Sequence, residues 1–86
     1  MKHIVFITNP ISGTISKARI PELVENRLDH TRFTYEFVET AYAGHATLIA
    51  KEAAARGVDV VCAIGGDGTV NEVGRALVGT STAMAI

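Results

Sequence analysis

The chain has 86 residues and a net charge of −1, with 48% hydrophobic and 20% charged residues. That length holds one small domain with a narrow stability margin, and the composition belongs to a folded core rather than a disordered tail. No basic stripe tracks a phosphate backbone, no apolar run approaches the ~20 residues of a membrane span, and the short run Ile4–Ile7 is no secretory signal, so nucleic acid is not an expected partner and a cytoplasmic location is.

His3 to Thr8 is a continuous apolar run ended by Asn9-Pro10, the pattern of a strand buried on both faces. Ser12, Gly13 and Thr14 make a loop, and Ser16 is placed to cap a helix carrying Ile20, Leu23, Val24 and Leu28 on one side. Pro21 falls in about the first turn of that helix, where a missing amide costs little. From Arg32 to Glu39, Phe33, Tyr35 and Phe37 alternate with Arg32, Thr34 and Glu36, which predicts a strand with one wetter face near a sheet edge. Thr40 to Gly44 is a turn, and an alanine-rich helix follows over Ala46 to Arg56, stopping at Gly57.

Val60 to Ile64 predicts a third buried strand. The lone Cys62 lies within it, with no disulfide partner and burial as its expected fate. Gly65-Gly66-Asp67-Gly68 leads into a helix from Thr69 to Val78, with Val70, Val73 and Leu77 on one face and Gly79 at its end. Thr82 to Ile86 begins another apolar strand, and the break there reads as the end of a fragment. Alternating strands and helices of these lengths predict an α/β fold of βαβ units, with a parallel sheet and right-handed crossovers.

The glycine loop carries the most chemistry. It joins the carboxyl end of a buried strand to the start of a helix, the edge where open α/β sheets gather their ligands. Glycines let the backbone approach a phosphate, and the free amides of the helix start favour its charge. The loop is not a Walker A sequence, because it contains no lysine. Nor does it match the Rossmann fingerprint, which asks for a small residue where Asn71 stands. Asp67 beside a polyphosphate is unfavourable unless it meets a metal, a sugar hydroxyl or a reacting proton. The plainer alternative is a glycine-rich turn with Asp67 as the helix N-cap.

Gly65-Gly66-Asp67-Gly68-Thr69-Val70-Asn71-Glu72-Val73 resembles the signature of the diacylglycerol kinase catalytic domain, shared with sphingosine kinases and bacterial lipid kinases. Gly-Gly-Asp-Gly also occurs in NAD kinases and phosphofructokinases and alone fixes only that wider group. Asn9-Pro10-Ile11-Ser12-Gly13 matches the Asn-Pro-x-Ser-Gly loop of the lipid kinases, and Thr40 with Gly44-His45-Ala46 matches their Thr…Gly-His-Ala segment. The resemblance spans essentially the whole chain. It implies a three-layer parallel βαβ sheet like the N-terminal domain of the NAD kinase/diacylglycerol kinase group, truncated. Residues 1–86 would then be an incomplete nucleotide-binding domain, with the C-terminal β-rich domain absent.

The resemblance further implies nucleotide contacts from Asn9, Pro10, Ile11, Ser12 and Gly13, from Thr40, and from Gly66, Asp67, Gly68, Thr69, Val70, Asn71 and Glu72. The physical properties of these residues agree, since Asn9 and Thr40 follow the first two strands and offer neutral hydrogen bonds to a sugar or base. ATP and Mg2+ are the implied cofactors and a lipid hydroxyl the acceptor, bound through the absent domain. Asp67 is the one local carboxylate expected to take a catalytic part, near the metal or the acceptor hydroxyl. For Asn9 the simple alternative is a strand-ending turn, and for Thr40 a loop threonine or helix cap.

His45 is expected to be structural, packing at the helix start and hydrogen-bonding nearby loops, rather than a proton shuttle. Lys17 and Arg19 read as solvated charges, Glu52 and Arg56 as a surface i,i+4 pair. No cluster has metal-ligand spacing, so no resident metal site is expected. The resemblance leaves room for peripheral membrane contact by a longer enzyme, and the unprotected final strand for homo-oligomers. An NAD kinase-like enzyme and a non-catalytic nucleotide-binding module stay open as alternatives.

Overall fold

The computed structural model describes residues 2–9 and 31–86. The predicted helix bearing Ile20 to Leu28, its cap Ser16, the loop residues Pro10, Ile11, Ser12 and Gly13, and the cations Lys17 and Arg19 lie outside the described residues.

The described elements are β1 (Lys2–Thr8), β2 (Phe33–Glu39), α1 (His45–Ala55), β3 (Val60–Ile64), α2 (Asp67–Leu77) and β4 (Ala83–Ala85). The strands form a four-stranded sheet in the order β2-β1-β3-β4, and every pairing is parallel. Among the described strands β2 is therefore an edge, as its alternating sequence implied. The chain crosses from β2 on one side of β1 to β3 on the other, which makes the β1/β3 boundary a topological switch point.

Register sorts the side chains into two faces. Ile7 sits between Val38 and Ala63, and Val5 lies beside Val61. Val5, Ile7, Val61 and Ala63 are buried beneath both helices, where Ala46, Ile49, Ala50 and Ala53 of α1 meet Val73, Ala76 and Leu77 of α2. The alanines of α1 keep that helix close to the sheet, and the branched residues below supply most of the transfer energy, about 1.5–3 kcal/mol for each fully buried side chain. On the opposite face Phe6 stacks on Phe37 with ring centroids 4.8 Å apart, and Tyr35 meets both rings edge-on. That face is less completely covered: Ile4 and Thr8 are buried, whereas Phe6, Tyr35 and Phe37 are half-buried. Cys62 shares it and is half-buried too, with burial raising its thiol pKa.

Both described helices lie over the same sheet face. With the sheet they make two layers of the expected three-layer architecture, and the predicted helix bearing Ile20 to Leu28 lies outside the described residues. Helix α1 ends in a Schellman arrangement: the Val58 amide donates to the Ala53 carbonyl and the Gly57 amide to Ala54. Gly57 has φ 78°, the left-handed conformation that this ending requires.

Candidate functional site

Backbone hydrogen bonds tie the carboxyl ends of three strands together. The Thr40 amide donates to the Thr8 carbonyl at 2.8 Å, and the Asn9 amide to Ile64 at 3.4 Å. The residues that follow β1, β2 and β3 therefore surround one cleft of about 280 Å³, walled by Asn9, Thr40, Tyr42, Ala43, Gly68, Thr69 and Glu72. Of the residues singled out from the sequence, five share this wall: Asn9, Thr40, Gly68, Thr69 and Glu72. Thr40 and Thr69 are buried in it.

Helix α2 starts two residues earlier than its sequence suggested, at Asp67 rather than Thr69. Its N-cap is Gly66, in extended conformation, and no side chain caps it. Asp67 is thus the first helical residue and not the cap. The first intrahelical bond runs from the Val70 amide to the Gly66 carbonyl, so the amides of Asp67, Gly68 and Thr69 have no acceptor within the helix. Their partial positive charge sits at the cleft. A Cβ built at Gly68 would touch nothing within 4 Å, so the space beside its Cα is open among the described residues. Asp67 is exposed beside the cleft and is not part of its wall. Val70 packs its side chain on the core and donates its amide to Gly66, and Asn71 is exposed.

The loop leading into α1 makes the other side of the cleft, through Tyr42 and Ala43. Gly44, the N-cap of α1, has φ 87° and supplies the left-handed turn that brings the Thr40–Gly44 loop back over the helix. The Ala41 amide donates to His45 Nδ1 at 2.8 Å, which places the proton of the neutral ring on Nε2. The His45 ring lies flat on Tyr42, with centroids 4.4 Å apart and planes 13° from parallel. The imidazole therefore packs and hydrogen-bonds at the helix start, as expected. Tyr42 and Ala43 were not singled out from the sequence. A solitary aromatic within a turn carries no periodicity, and only its place between Thr40 and Gly44 could have pointed to it.

At the opposite end of the strands the polar groups bond to one another. Arg56 Nη2 contacts Glu36 Oε1 at 2.6 Å, and His3 Nδ1 lies 2.6 Å from Thr34 Oγ1. The His3 amide donates to Asp59 at 2.9 Å. The Arg56 hydrogen bond holds the Glu36 carboxyl below its ordinary pKa, against a smaller opposing effect of burial, and His3 adds to the lowering. Arg56 thus reaches across to β2 instead of pairing its side chain with Glu52. Among the described residues no three His, Cys, Asp or Glu side chains could jointly hold a metal, and no helix is long and apolar enough to cross a membrane.

The cleft lies at the switch point of an open parallel sheet, the edge where α/β folds of this class gather their ligands. Residues 3–86 match the diacylglycerol kinase catalytic domain, and the chain belongs to that family. It is 40% identical over 74 residues to a diacylglycerol kinase of Bacillus subtilis (strain 168), a match covering 85% of this chain and 24% of that protein. A diacylglycerol kinase of Staphylococcus haemolyticus (strain JCSC1435) is 38% identical over 68 residues, covering 78% of this chain and 20% of the relative. The crystal structure of a presumed diacylglycerol kinase from Bacillus anthracis str. Sterne superposes with a TM-score of 0.71 at 24% identity, across 96% of this chain and 29% of that one, and shows the shared fold. The chain spans about a quarter of the length of the relatives it matches.

Proposed function

We propose that this chain supplies the nucleotide-binding loops of an ATP-dependent lipid kinase, in which the γ-phosphoryl group of ATP passes to the hydroxyl of a lipid such as diacylglycerol. The observation that carries this reading is the convergence of Asn9, Thr40 and the Gly68–Glu72 segment on one cleft at the uncapped start of α2. Phosphoryl transfer asks a protein mainly to position the reactants and stabilise charge. The unbonded amides of α2 suit the phosphates, and Asn9 and Thr40 suit the neutral hydrogen bonding of sugar or base.

The donor set fits a magnesium ion that arrives with the nucleotide rather than one held in a protein cage. Magnesium is commonly bound by one or two carboxylates together with substrate phosphates. Asp67, exposed beside the cleft at the first position of α2, is the carboxylate we assign to that role. Bound there, the ion would neutralise phosphate charge. Without it, Asp67 and a polyphosphate repel one another, which makes Asp67 a test of the reading.

Titration calorimetry with ATP, with and without magnesium, compares the wild type and Asp67→Ala. With magnesium, the wild type should saturate at one site and the variant should bind more weakly. Without magnesium, the variant should bind no worse than the wild type, because a repulsion has gone. A folded wild type that takes up no ATP in either condition would contradict the reading. The lipid acceptor is assigned to the further three quarters that the relatives carry, so the purified chain is expected not to phosphorylate diacylglycerol. Turnover of radiolabelled ATP on diacylglycerol vesicles by these 86 residues alone would overturn that assignment.

A further inference from the structure

The wall of the cleft is chemically divided. One side carries the α2 amides at Gly68 and Thr69, and the other carries the ring of Tyr42 with Ala43. Glu72 lines the wall from the second turn of α2, so the amides at Gly68 and Thr69 are the electropositive part of the cleft. Tyr42 is 59% exposed, yet its ring is backed on one side. His45 covers one of its faces, and the Ala41 amide fixes His45 in turn. The ring also forms part of the cleft wall, so its surface away from His45 is the part that can meet a ligand. At about 280 Å³ the cleft is near the lower limit of small-molecule sites, enough for a ring system and part of a sugar but not for paired acyl chains.

We propose that the Tyr42–His45 stack is a base-binding platform, on whose Tyr42 surface away from His45 the nucleobase lies while its phosphates reach the start of α2. This rests on the nucleotide reading above and assigns to it a residue that recognises the base. A flat aromatic surface is well suited to a nucleobase, since every base offers a π face and stacking on an aromatic side chain makes a large contribution to affinity. His45 acts as a positioning residue: it holds Tyr42 flat and does not itself touch the ligand.

The test compares ATP with inorganic tripolyphosphate, which lacks the base, by calorimetry in the presence of magnesium. The proteins are the wild type, Tyr42→Ala and Tyr42→Phe, each checked for folding by far-ultraviolet circular dichroism. Tyr42→Ala should weaken ATP roughly tenfold and leave tripolyphosphate unchanged, and Tyr42→Phe should keep the wild-type affinity for ATP. His45→Gln, which keeps an acceptor for the Ala41 amide but removes the stack, should give a smaller loss confined to ATP. Equal affinity of wild type and Tyr42→Ala for ATP, or equal weakening of both ligands, would overturn the platform and leave the phosphate site standing. Failure of the folded wild type to bind either ligand would instead remove the nucleotide reading and the platform with it.

Discussion

The two ends of the sheet are made from similar residues and used differently. At the amino ends of the strands, His3, Thr34, Glu36, Arg56 and Asp59 find one another, and the polar atoms are spent on protein contacts. At the carboxyl ends the glycine-rich start of α2 has no side-chain cap, Asp67 is exposed, and an aromatic ring lies half open over a cleft. The first arrangement closes a fold. The second leaves the first backbone donors of a helix without an intrahelical acceptor or a side-chain cap. The difference teaches that composition alone does not mark a site; what marks it is polar capacity that the fold has not consumed.

Substitutions can break or sharpen this contrast. The largest effect is expected where both ends share a foundation. Ile7 is fully buried between the sheet and the helices, so Ile7→Ala should cost about 2–5 kcal/mol by lost transfer energy and the cavity left behind. Chemical denaturation should show that loss, and in so small a domain it removes much of the total stability. Gly44→Val comes next. With φ 87° at that residue, a branched side chain should cost about 1–2 kcal/mol, and it should disturb the Tyr42–His45 stack while sparing the amino-end network.

Arg56→Ala addresses the closed end. The pair with Glu36 is largely exposed, with side-chain accessibilities of 55% and 38%, so its removal should cost no more than about 1 kcal/mol and leave ligand binding unchanged. Its pH dependence has a definite sign. The folded-state pKa of Glu36 is lowered, chiefly by the Arg56 hydrogen bond. Its stabilising contribution is therefore present above the ordinary glutamate pKa of about 4.3 and lost as pH falls through the lower folded value. Thermal melts of Glu36→Gln should lie below wild type at neutral pH and converge with it in acid. Asp67→Ala should change stability least, within about 0.5 kcal/mol, since loss of a favourable charge at the helix start is offset by alanine's helix propensity. Its effect should fall on nucleotide binding instead.

Much of this architecture was legible in the sequence. Val60–Ile64 is the strand that its unbroken apolar run predicted, and Phe33, Tyr35 and Phe37 alternate as an edge strand should. The glycine at 57 stops α1 because only a left-handed residue closes that helix end. The start of α2 was placed two residues late because Asp67-Gly68 has loop-like composition, yet a first helical turn tolerates it: its amides have no intrahelical partner to lose. The Arg56–Glu36 contact joins residues 20 apart, and local i,i+4 spacing cannot reveal a partner brought in by the fold. Of the candidate site, Asn9, Thr40, Gly68, Thr69 and Glu72 come together as their strand-end positions implied. Tyr42 was missed because its role depends on a ring stacked beneath it.

The most direct test of the contrast is a nuclear magnetic resonance titration of the isotope-labelled chain with ATP and magnesium, following every backbone amide. Shifts that saturate together at Asn9, Thr40, Tyr42 and Gly68 to Glu72, with His3, Glu36 and Arg56 unmoved, are the predicted result. Shifts centred on the amino-end network, or none anywhere in a folded protein, would contradict it.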